Sequence, residues 1–215
     1  MKLLVYSFIA SLAMLIDVSA QQNIKTSSSQ IKLSQESKAI IFFDRGGACS
    51  ATDSDCRIAN YTKAIEIYPD LVEAFNNRGT AHQIKGSTDA ALKDFTRAVE
   101  IEPAFVQGYY NRAVLAAAEK NYQNALRDFD KAIELSPDLV FAYIGRGNVH
   151  LKQGSYRDAI KDFDRALELE PDFAPIYHNR ALAYDSIGEA KKAELDRKKS
   201  EMLTKAQNAS LLDGR

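Results

Sequence analysis

The chain has no tryptophan, only two cysteines, three histidines and five prolines, and its 28 basic and 29 acidic residues leave a net charge of −1. That even balance removes the electrostatic case for nucleic acid or an anionic membrane as partner. His82, His150 and His178 are far apart, and Cys49 and Cys56 fit neither a C-x-x-C redox pair nor a zinc-ligand spacing. No metal or cofactor is therefore expected. G-x-S-x-G, phosphate-loop and triad-like orders are also missing, so no catalytic residue is assigned. The longest apolar run, Leu3 to Ile16, is 14 residues, short of the about 20 that a spanning helix needs. With Lys2 before it and the small residues Val18, Ser19 and Ala20 after it, the run reads as a signal peptide, 1–20, cleaved before Gln21. The alternative is a retained anchor. Residues 21–37, rich in Gln, Ser and Lys, read as a flexible tether.

What is present is a period. Pro69, Pro103, Pro137 and Pro171 follow one another at 34 residues. The stretch Y-x-N-R-A…A-L-R-D-F-D-K-A-I-E-L-S-P is echoed by Y-x-G-R-G…A-I-K-D-F-D-R-A-L-E-L-E-P. Self-similarity at this spacing means stacked helix pairs, each unable to bury its apolar face alone. Within each unit, aromatic or small residues recur at helical spacing: Tyr109, Ala113, Ala116, then Ala125, Phe129, Ala132. Gly86, Gly154 and Gly188 suit the left-handed end of the first helix, with Asn121 the nearest substitute in the unit that lacks one. The Pro-Asp steps at Pro69, Pro137 and Pro171 can end one unit and cap the next. The boundaries that follow are 38–71, 72–105, 106–139, 140–173 and 174–209. The first unit is one residue short between its helices, and the last carries Arg197 and Ser200 where Phe and Ala are expected.

These landmarks, strong from Val72 to Pro171, resemble the tetratricopeptide repeat family, and the N-R-A and N-R-G runs resemble its exported bacterial members. The resemblance implies an all-α, right-handed solenoid of antiparallel helix pairs, with a concave groove lined by the first helices. It also implies a non-enzymatic adaptor or scaffold in the cell envelope, periplasmic or secreted, whose partner is a protein or peptide. The alternative is a regulatory or assembly subunit of an enzyme complex. The paired Lys/Asn set by which some members clamp a C-terminal carboxylate is missing.

Arg78, Arg112, Arg146 and Arg180 recur in the first helices, and Asp94, Asp128, Asp162 and Asp196 recur sixteen residues later. Either each Arg pairs with its Asp across the hairpin, its stem packing as a hydrophobe, or the arginines form a basic stripe on the groove. Asn77, Asn111 and Asn179 precede three of these arginines, with Gly145 in the fourth place. By the family resemblance such amides face the groove and grip a peptide backbone; otherwise they are solvated helix residues. Tyr110, Val114, Phe141, Ile144, Asn148 and Leu151 complete the expected site, with Leu182 beyond them, and the groove should be polar at Glu73, Asn76, Thr80 and Gln83 and apolar at its centre. The competing reading has the C-terminal helix folding over that centre. The basic stretch from Ala190 to Ala206 reads as a solvated capping helix, with Met202, Leu203 and Ala206 packing on the last hairpin. Cys49 and Cys56 are a disulfide pair in an oxidising compartment or else two free thiols.

Overall fold

Apolar spacings of three and four favour helix, and each proline stops one helix before the chain resumes. The structure, a computed structural model, describes residues 34–213, with side chains as far as residue 209. The expected signal peptide and nearly all of the expected tether lie outside the described residues. The described residues form ten α-helices and no strand. These are α1 (Gln35–Ala48), α2 (Ser54–Ile67), α3 (Val72–Ile84), α4 (Thr88–Ile101), α5 (Val106–Ala118), α6 (Tyr122–Leu135), α7 (Val140–Lys152), α8 (Tyr156–Leu169), α9 (Ala174–Ser186) and α10 (Ala190–Asp213). Residues 35–37, assigned to the tether by composition, are the first turn of α1, where Glu36 suits the positive end of the helix dipole.

Consecutive helices pair into five hairpins, and the second helix of each packs on the first helix of the next. The first helices α3, α5, α7 and α9 also touch one another. They form the inner row of a right-handed solenoid. One ring closes each of the first four hairpins: Tyr61, Phe95, Phe129 and Phe163 are at most 1 % exposed. Small residues face these rings. A Cβ on Gly147 would lie 2.8 Å from Phe163, and one on Gly46 would lie 2.6 Å from Tyr61. Gly46 precedes its ring by one residue fewer than Gly147 does: α1 ends two residues after Gly46 where α7 runs on to Lys152, and the longer turn before α2 makes up most of the difference.

Two local expectations are corrected. Asp70, Asp138 and Asp172 cap no helix. The N-cap positions fall on Leu71, Leu139 and Phe173, which offer no side-chain bond. Backbone turns close these junctions instead, as where Leu139 N donates to Ser136 O at 3.1 Å. The left-handed residue of the third hairpin is Lys120, at φ 60°, in the place held elsewhere by Gly86, Gly154 and Gly188. Asn121 begins the next helix, its side chain accepting from Asn124 N.

Each Arg meets its Asp sixteen residues on. Arg112 donates through Nε and Nη2 to both oxygens of Asp128, at 2.7 and 2.8 Å. Arg78 with Asp94, Arg146 with Asp162 and Arg180 with Asp196 repeat the fork. The aspartates are buried, and each guanidinium also stacks on the ring three residues before it, as Arg112 does on Tyr109. The remaining Nη1 reaches sixteen residues back, to Thr62, Thr96, Asp130 and Asp164 in turn. Every Arg therefore ties its own hairpin to the one before. The hydrogen bond to Asp128 pushes Arg112 further up from its already high range, against the opposing effect of burial. The first hairpin differs: Asn60 stands in the Asp place, and the Cys49–Cys56 disulfide joins the turn after α1 to the first turn of α2.

Candidate functional groove

The site begins with a missing side chain. Where the other hairpins carry Asn77, Asn111 and Asn179, the fourth has Gly145. A Cβ there would sit 2.4 Å from the Phe129 ring. Phe129 thus lies against the bare backbone of α7, its ring filling the place where a side chain at 145 would start. A cavity of about 590 Å³ opens beside it on the inner row between α5 and α7, with Phe129 and Gly145 in its lining. It brings together the expected Tyr110, Val114, Phe141, Ile144 and Asn148. Tyr110 tilts over Phe129 with ring centroids 6.2 Å apart, and burial pushes its hydroxyl pKa upward. Phe141 stands edge-on to Phe173 at 6.2 Å yet remains 55 % exposed, unusual for so large an apolar side chain.

The other expected residues go elsewhere. Leu151 packs into the cluster around Phe163. Leu182 is exposed on α9, away from the cavity. The asparagines pair within the chain: Asn111 donates to Asn76 at 2.8 Å and accepts from Gln107, while Asn179 donates to Asn148 at 2.9 Å. Asn77 accepts a longer bond of 3.4 Å from Asn76. Asn76, expected on the polar surface of the groove, is only 6 % exposed, because the next hairpin covers it. Asn148 accepts through Oδ1 and, among the described residues, donates to none while facing the cavity.

Sequence reasoning did not place Lys120, Tyr122 and Lys152 on this rim. A signal existed for Lys120, which interrupts the series of turn glycines. Lys152 had none, since its place depends on how α7 leans on α5. The C-terminal helix leaves the cavity open. α10 packs along α9, with Ser200 Oγ donating to Ala174 O at 3.0 Å. Met202 and Ala206, expected to pack on the last hairpin, are exposed, and only Leu203 is partly covered.

A right-handed solenoid of helix pairs whose inner row carries an open apolar cavity belongs to the class of repeat proteins that present surfaces to other proteins. Matches to the tetratricopeptide repeat cover residues 72–105, 106–139, 140–173 and 163–195, and the chain belongs to that family. Among solved structures, the crystal structure of MamA protein is similar at 23 % identity and TM-score 0.71, over 80 % of this chain and 94 % of that one. MamA 41-end from Desulfovibrio magneticus RS-1 is similar at 16 % identity and TM-score 0.73, over 79 % and 97 %. At these identities the likeness is one of fold. No curated protein matches the sequence.

Proposed function

We propose that this tetratricopeptide repeat protein is a non-enzymatic scaffold of the cell envelope. It holds an extended or helical segment of another protein in the groove between α5 and α7. The observation that carries this reading is the open cavity around Phe141, an apolar surface on the inner row that no described part of the chain covers. Tyr110, Val114 and Ile144 offer contact to an apolar anchor, and Asn148 offers hydrogen bonds to a peptide backbone. Export is supported by the signal-like sequence and by the Cys49–Cys56 disulfide, which an oxidising compartment favours. No described helix is long and apolar enough to cross a membrane.

Affinity capture with the wild-type chain and with a Phe141→Glu/Ile144→Glu variant tests the groove. Partners retained by the first and lost by the second are expected. An identical partner set from a folded variant would remove the groove from the account. Cell fractionation with N-terminal sequencing tests export, the mature chain being expected to start at Gln21.

A further inference from the structure

Lys120 is the single described non-glycine residue with positive φ. Three hairpins fill that turn with glycine, which accepts the conformation without steric cost. A side chain held against local backbone preference marks a position where the side chain itself is used. Lys120 lines the α5–α7 cavity, and so does Lys152. In the other first helices the equivalents of Lys152 are Ile84, Ala118 and Ser186, so this pair of cations is peculiar to this cavity. No carboxylate lines it. Glu119, next to Lys120 in the chain, lines the neighbouring cleft beside Arg112 and Asp128 instead. Among the described residues neither lysine has an ion-pair partner, unlike Lys85 or Lys131. In a chain whose charges nearly cancel, this open apolar cavity on the inner row is thus rimmed by two cations that no described carboxylate neutralises.

We propose that the cavity recognises an acidic–apolar peptide segment of a partner protein. This rests on the groove reading above and adds the chemistry of the occupant. A large apolar side chain of the peptide seats on Tyr110, Val114 and Ile144 beside Phe141. An Asp or Glu close to that anchor pairs with Lys120 and Lys152. Asn148 bonds the peptide backbone between the two.

The test is selection of a random linear peptide library on the full chain, followed by fluorescence anisotropy with the best peptide and its analogue carrying Gln or Asn for Glu or Asp. Selected sequences are expected to place an acid near a Leu, Phe or Met anchor. A Lys120→Gly/Lys152→Gln variant should bind the acidic peptide about tenfold more weakly, two part-exposed ion pairs being lost. It should bind the neutral analogue as the wild type does. Lys120→Gly alone should weaken binding while raising the melting temperature by about 1–3 °C, since the turn conformation is relieved. Apolar anchors without acid preference, or equal affinity of both chains for the acidic peptide, would overturn the proposal and leave the groove reading standing. Selected peptides that bind Phe141→Glu/Ile144→Glu undiminished, or a library that yields no binder, would overturn both. So would a dimer that this groove variant converts to monomer, because the cavity would then hold a second copy of the chain.

Discussion

Arg112 has two acidic or hydroxyl neighbours besides its ring, and their environments differ. Asp128 is buried and receives two forked bonds, whereas Thr96 receives one from the preceding hairpin. Removing a buried partner strands a charge, so Asp128→Ala should cost about 3 kcal/mol. Asp130, the exposed second partner of Arg146, should cost only about 0.5–1 kcal/mol on truncation. Thermal melts of the two variants check this; equal losses would mean that burial does not set the weight of these pairs. His82 makes a second residue-scale prediction. Its Nδ1 is buried without a hydrogen-bond partner among the described residues. Burial lowers its pKa below the ordinary 6.5, Asp94 opposes the shift, and Arg78 and Lys85 reinforce it. The unfolded chain therefore takes up this proton more readily than the folded one. The contribution is fully present above the unfolded value and is lost as pH falls through the lower folded value, at up to about 1.4 kcal/mol per pH unit for one proton. His82→Ala, which copies Ala116 of the third hairpin, should flatten the decline in melting temperature below about pH 6.5. An unchanged slope would assign the titration to other groups.

Among the helices, the first hairpin is the one held differently. It has Asn60 in place of the inter-helix aspartate, and Arg45 stacks on Phe42. The disulfide across its turn occupies the same hairpin that lacks the forked ion pair. Reduction should destabilise α1 and α2 by about 2–3 kcal/mol in the chain-entropy view. Amide exchange should rise there while α5 to α8 keep their protection. A uniform rise across the chain would mean that the hairpins unfold as one unit. The last hairpin departs in another way. Arg197 replaces the closing ring and pairs with Asp185 and Glu194 at the surface. Ala193 and Asp196 stay buried, so α10 keeps one packed face while exposing Leu195 and Met202. This polar ending was legible in the sequence as a departure from the repeat. The packing of Leu203 alone was not, since it depends on where α9 begins beneath α10.

Taken whole, the molecule is a stack in which each hairpin contacts only its neighbours, and its stability should divide accordingly. Hydrogen exchange is expected to be slowest in α5 to α8, covered on both sides, and fastest in α10, whose far face is bare. Slow exchange extending evenly to the end of α10 would contradict a nearest-neighbour stack. The same architecture puts the cavity near the centre of the stack, where the Phe129 ring packs against the bare backbone of Gly145 between α5 and α7.

The amino-acid order by itself determined the 34-residue period and, through it, the hairpin pairing; it also put the ring and small-residue contacts and the candidate Arg–Asp pairs about sixteen residues apart within one unit, close enough to be read from spacing. Tertiary structure decided which amides remain available and where Lys120 and Lys152 stand. Those outcomes depend on the lateral offset between neighbouring hairpins. Asn111 finds Asn76 thirty-five residues back and Asn179 finds Asn148 thirty-one residues back, so no constant spacing in the chain could have announced them.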